Sequence, residues 1–269
     1  MSLAVLVDAM KGASLNGVRL AVKDRERARE YWSQTVQRYN ELMGYGLAGR
    51  DPVDYIYQQS WAQPSTSDRV ELPVAIHTDG GTRLDELLVL ATATRVLNPR
   101  KVFEIGTFMG RTTSVFVMNA PGGEIITLDL PTDGEPEQAE SAGYIDTDRV
   151  LVKQRRVGSF LHDVGLDGRY TQLLADSMTF DPKPHAGTVD LGFIDGAHAL
   201  PYVENDTRKM AAMMTDRGLV FWHDYGGKGR FRELTQYLDA LARRIAIYRV
   251  RGTTLAWAPA AEVRKILPL

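Results

Sequence analysis

The chain has no cysteine, which excludes disulfides, thiolate zinc sites and thiol nucleophiles together. It has no long apolar run either. The opening stretch from Leu3 to Val7 is broken by Asp8, far short of the roughly 20 residues a membrane helix needs. No signal-peptide pattern is evident, and the expectation is a cytoplasmic protein with no membrane partner. An excess of one charge is also missing: the formal net charge is -2, which does not provide a broad basic surface for nucleic acid. Internal repeats are absent. What remains is the make-up of a globular protein, with 44% hydrophobic and 25% charged residues over 269 positions, enough for a large core.

Residues 1–80 read as an N-terminal, mainly helical extension or cap, and 81–269 as the main domain. Within the first part, Ala28, Trp32, Val36, Tyr39 and Met43 recur at helical steps over 24–43, before Gly44 and Gly46. This aromatic stripe suits core packing or a homodimer contact. The segment 47–80 carries Pro52, Pro64 and Pro73 among Tyr55, Tyr57 and Trp61, so it reads as irregular with short helical pieces. Its aromatics suit either packing or an aromatic substrate pocket.

From 82 onwards the pattern alternates. A helix is expected over 82–97, stopped by Asn98-Pro99. Strands are expected at 101–105, 124–128, 170–174, 189–194 and 218–222, and helices at 111–119, 150–163 and 199–214. The segments 245–250 and 253–258 flank Arg251-Gly252 as a hairpin. The fold expected is α/β: a Rossmann-like, doubly wound, mostly parallel seven-stranded sheet finished by an antiparallel C-terminal hairpin.

The first strand runs into Glu104-Ile-Gly106-Thr107-Phe-Met-Gly110-Arg-Thr112. A dinucleotide turn needs a glycine where this chain has Phe108, because only glycine lets the backbone approach a pyrophosphate. That weakens an NAD(P)-dependent oxidoreductase, which stays as an alternative beside a non-catalytic cofactor-binding domain. Asp129 lies 23 positions beyond Gly106, at a second strand end, where an acid suits ribose hydroxyls. Asp176 and Ser177 follow the third strand, and capping is an alternative role for Ser177. Further on stand Phe193-Ile-Asp195-Gly-Ala-His198, then Trp222-His223-Asp224-Tyr225.

The E-x-G-x-x-x-G turn together with F-I-D-G-x-H and W-H-D-Y resembles class I S-adenosylmethionine-dependent methyltransferases. The likeness covers about residues 82–258 and lies near the metal-dependent catechol and caffeoyl-CoA O-methyltransferases. It implies S-adenosyl-L-methionine as cofactor and O-methylation of a small-molecule hydroxyl, an aromatic or hydroxylated acceptor included. The cofactor residues implied are Glu104, Gly106, Thr107, Gly110, Thr112, Asp129, Asp176, Ser177 and Asp195. The relatives hold a divalent metal, Mg or Mn, at positions that map onto Asp195, His223 and Asp224. His198 replaces their catalytic lysine and is a candidate base. His223 is the second candidate, in a metal-free site. Metal and metal-free readings both stay open.

Two further stretches are polar. Asp206, Arg208 and Lys209 read as a solvated helix face. Residues 131–148 carry six acids and no base, which suits a solvated surface or a lid beside the ribose site. The loop from Tyr225 to Arg230, rich in glycine, reads as a surface turn near the acceptor.

Overall fold

A computed structural model describes residues 47–62, 69–73, 81–131, 156–226 and 231–267. The expected helix at 24–43 with its dimer role, most of the acidic stretch, and the loop at 227–230 lie outside the described residues. The chain divides into two compact units, Met1–Gly46 and Leu47–Leu269, and the described residues all belong to the second.

Among the described residues, eight strands form one sheet: β1 Ala48–Gly49, β2 Lys101–Ile105, β3 Glu124–Asp129, β4 Thr171–Leu174, β5 Val189–Ile194, β6 Met214–Trp222, β7 Tyr248–Arg249 and β8 Ala256–Pro259. Their order is β1-β7-β8-β6-β5-β2-β3-β4. Every neighbouring pair is parallel except the two made by β8. The eighth strand beyond the expected seven is the two-residue edge β1. The C-terminal hairpin is present, with Tyr248 opposite Trp257.

The central strands are apolar because both faces are covered. Every residue of β5 is buried. Its one acid, Asp190, accepts from the Arg100 backbone at 2.9 Å and from Thr215 Oγ1 at 2.8 Å. Along β2 the alternation sends Val102 to one apolar cluster and Phe103 and Ile105 to the other. On the Val102 face lie α1 Pro52–Gln58, α2 Leu84–Leu97, α3 Arg111–Asn119 and α4 Ser159–Asp163. The opposite face holds α5 Leu200–Met213, α6 Arg232–Leu241 and α7 Ala260–Val263. None of these helices is long and apolar enough to cross a membrane.

Residues 47–62 supply β1 and α1 to this unit. Asp51 accepts from Val53 N at 2.8 Å and Pro52 begins the helix, a strong helix start. The aromatics nearby serve packing: Tyr55 lies against Trp61 and Trp257, with Arg50 over its ring. Helix α6 is an addition to the sequence reading. Leu234, Leu238 and Leu241 form its buried stripe.

Strand order reverses between β2 and β5, which are direct neighbours. Helices leave the sheet on opposite faces there, and the crevice at the strands' carboxyl ends is where such sheets bind ligands.

Candidate active site

At that crevice the ladder continues past the strands. Gly106 N donates to Leu128 O, Asp195 N to Ile105 O, and His223 N to Ile194 O, at 2.8–3.0 Å. These bonds bring the residues after β2, β5 and β6 to one edge. Gly106 has φ +102°, and a Cβ there would stand 2.0 Å from the Asp195 carbonyl oxygen. Only glycine allows this approach of the turn to β5. Gly110, at φ +91°, caps α3 and leaves no room for a Cβ beside Leu161.

Glu104 is fully buried. Its Oε2 accepts from Thr113 Oγ1 and, at 2.6 Å, from Thr127 Oγ1. Thr127 is also 2.6 Å from Thr107 Oγ1, which accepts from Gln172 Nε2 at 2.9 Å. A hydroxyl chain thus runs under the turn, while Glu104 Oε1 has no partner. Burial pushes this carboxyl up to about 8 against the pull of the two threonines. Thr112 meets Thr82 Oγ1 at 2.8 Å.

Along the edge, Asp129 Oδ2 accepts from Phe108 N and Oδ1 from Leu130 N, both at 2.7 Å. The first bond helps hold Phe108 at φ +49°, a conformation uncommon for a residue with a Cβ. Asp176 follows β4 and accepts from Met178 N at 2.8 Å and Tyr202 Oη at 3.0 Å. The carbonyl of Ser177 accepts from Asn205 Nδ2 and Lys209 Nζ.

After β5 and β6 stands an acid–imidazole cluster. His198 Nε2 is 2.9 Å from Asp224 Oδ2, and its ring lies 4.1 Å from that of Phe231. His223 Nδ1 lies 3.2 Å from Asp195 Oδ1 and 3.3 Å from Asp224 Oδ2. His223 Nε2 faces Glu86 Oε2 at 3.1 Å. With acids at both nitrogens, the ring is suited to carry both protons. Burial alone would lower its pKa, but Asp195 and Asp224 hold it well above the ordinary histidine range. Burial raises Asp195, with His223 opposing. Partial burial works against ionisation of Asp224, yet His223 and His198 bring it well below the ordinary carboxylate value. Asp195 and Asp224 each keep 19% of their side-chain surface open, so a substrate can reach them.

Among the described residues, Asp195, His198 and Asp224 form a group able to hold a metal, one donor atom from each lying within 4.8 Å of the others. The sequence motifs set His223 in that role. In the structure His223 is also held by Glu86, and His198 completes the group.

Three residues depart from the sequence reading. By sequence Glu86 is part of an expected helix and nothing more; in the fold it is fully buried against His223. Asp206, read as solvated, is also fully buried, because α5 turns this face toward Gly196 and the loop after β4. Its Oδ1 accepts from Asn205 Nδ2 at 2.8 Å, and Ser177 and Lys209 lie near enough to favour its ionised form. Burial pushes its carboxyl up to about 7. Lys209 is not solvated either: it donates to Ser177 O at 2.6 Å and Met178 O at 2.8 Å. Arg208 alone of the three is exposed.

Strand order, glycine turn and carboxylates at successive strand ends define a ligand-binding α/β protein of the doubly wound type. Residues 103–225, a little under half of the chain, match the family model described as a methyltransferase domain. The match spans the glycine turn through the His223–Asp224 pair, and leaves Glu86 and the hairpin outside. No curated protein matches the chain in sequence. Among solved structures, the SAH-bound methyltransferase PaMTH1 of Podospora anserina is 12% identical, with 83% of this chain and 94% of that chain covered and a TM-score of 0.50. The O-methyltransferase TomG of Streptomyces achromogenes, in complex with SAM, is 13% identical over 85% and 95%, with a TM-score of 0.47. Cofactor-bound Rv0187 from MTB is 19% identical over 83% and 96%, with a TM-score of 0.45. At such identities the likeness is one of fold.

Proposed function

We propose that this protein is a methyltransferase acting on a hydroxyl oxygen of a small molecule, with a phenol as the acceptor class. The observation that carries the reading is the His198–Asp224 pair at 2.9 Å, beside the partly open carboxylate of Asp195. An acceptor hydroxyl with a pKa near 10 needs a base at neutral pH. In this reading Asp224 orients the His198 ring, and His198 takes the hydroxyl proton. The bound sulfonium cofactor would supply the methyl group, its sulfur keeping the C–S bonding pair as a neutral thioether while the acceptor oxygen gains the methyl. His223 is then a fixed positive charge between the acids, not the base. Most of the acceleration would come from alignment.

S-adenosyl-L-methionine fits the edge. Gly106 and Gly110 shape the turn, with Thr107 and Thr112 beside it. Glu104 Oε1, buried without a partner, suits a cationic group of the cofactor. Asp129 is assigned to the ribose, Asp176 and Ser177 to the adenine side, and Asp195 to the boundary between cofactor and acceptor.

One observation favours a second reading of the chemistry. The Asp195, His198 and Asp224 donor group fits Mg²⁺ or Mn²⁺ through its carboxylates, with the imidazole shifting preference toward Mn²⁺. A cation held there would supply Lewis-acid activation of the hydroxyl. Turnover of isotopically labelled S-adenosylmethionine on catechols and phenols, with and without EDTA, separates the two. Activity that survives EDTA and is lost in His198→Ala fits the base. Activity lost to EDTA and restored by Mg²⁺ or Mn²⁺ fits the cation. Label found on nitrogen or carbon would overturn O-methylation in both forms.

A further inference from the structure

Glu86 lies outside the methyltransferase motifs and outside the family match, yet it joins three parts of the molecule at the site. It is the third residue of α2, where its Oε2 accepts from Arg83 N at 3.0 Å. Its Oε1 accepts from Thr254 N at 2.7 Å and Thr254 Oγ1 at 2.8 Å, in the turn of the β7–β8 hairpin. Its Oε2 also meets His223 Nε2 at 3.1 Å, directly after β6. These contacts use about all the acceptor positions a carboxylate has. Closing the end of α2 requires only the bond to Arg83. The other three contacts serve something else.

We propose that Glu86 is a positioning residue for methyl transfer, fixing the His223 ring so that its Nδ1 edge faces Asp195 and Asp224. The proposal rests on the acid–imidazole cluster being the active site. An imidazole on one side-chain bond from the backbone can rotate and exchange its two edges. Phe193 meets the ring edge-on, with centroids 6.2 Å apart at 63°, which restrains the ring plane but does not distinguish its nitrogens. A buried carboxylate at Nε2 does, since it selects the edge that carries that nitrogen. Thr254 and Arg83 in turn hold the carboxylate, so ring orientation depends on α2 and the hairpin being docked.

Glu86→Gln preserves volume. With its oxygen kept on Thr254, its NH2 takes the place of Oε2, giving up the bond from Arg83 N and demanding a lone pair at His223 Nε2 instead of a proton. The ring nitrogens are read by ¹⁵N spectra of histidine-labelled protein, in which five histidines are few enough to assign His223 from a His223→Asn spectrum. We expect the His223 Nε2 signal in Glu86→Gln to move to that of an unprotonated nitrogen, with S-adenosylmethionine affinity unchanged. On an acceptor found in the panel above, kcat falls about 10- to 100-fold with little change in KM, the size typical of a lost supporting contact. Glu86→Asp, too short to span all three elements, disturbs the same signal. Unchanged His223 signals in both variants would overturn the proposal, as would a loss of cofactor affinity in step with kcat. A wild type that binds no S-adenosylmethionine would instead sink the methyl-transfer reading, and the ring spectra would still judge Glu86.

Discussion

Replacing Asp206 by asparagine should make the protein more stable at alkaline pH and leave it nearly unchanged at acid pH. The carboxyl is fully buried, and burial raises it from an ordinary 3.8 to about 7. Between those values the folded chain holds a proton that the unfolded chain has released. Stability therefore falls as pH rises through this window, and flattens above the folded value. The full difference is about 3 pH units at about 1.36 kcal/mol each, or roughly 4 kcal/mol. From pH 5 to the folded value of about 7, where the unfolded carboxyl is already ionised, about 2–3 kcal/mol remains to be measured. Asparagine has the same shape, keeps an acceptor for Asn205, and does not titrate. Urea unfolding of wild type and Asp206→Asn at pH 5 and pH 8 isolates the effect, because Glu104 and the histidines contribute to both proteins alike. The variant should gain about 2–3 kcal/mol on wild type between the two pH values. A difference between the two proteins that is the same at both pH values would refute the assignment of a buried, raised carboxyl.

Two further substitutions probe the edge directly. Gly106→Ala puts a Cβ 2.0 Å from the Asp195 carbonyl at a φ of +102°, so we expect destabilisation by about 3 kcal/mol or more and weaker cofactor binding, read by thermal unfolding and calorimetry. Asp195→Ala removes an acid that faces His223 Nδ1 at 3.2 Å; turnover should fall at least about 100-fold, and near-normal turnover would refute its place at the reacting centre.

Much of the sheet was legible because its central strands are buried on both faces and read as unbroken apolar runs. The glycine turn was legible for a related reason, since the approach of Gly106 to Asp195 admits no side chain. At Glu104, Thr113 and Thr127 supply two contacts from within the fold and leave Oε1 open, which the local sequence does not reveal. Other features depend on contacts far apart in the chain. Glu86 and His223 are separated by 137 positions, and nothing local marks either as the other's partner. Asp206 has charged neighbours at Arg208 and Lys209 and so looks solvated; only the seating of α5 against Gly196 and the loop after β4 buries it. Helix α6 carried a readable signal in Leu234, Leu238 and Leu241, and Asp51-Pro52 marked the start of α1.

The identity of the ligand at the carboxyl edge of β2 through β5 decides between a methyltransferase and any other enzyme on this sheet. Calorimetric titration with S-adenosylmethionine, S-adenosylhomocysteine and NAD tests it most directly. Saturable binding of both sulfur ligands, weakened in Asp129→Ala, with no heat from NAD, is the result expected. No binding of either sulfur ligand, or saturable binding of NAD in their place, would contradict it.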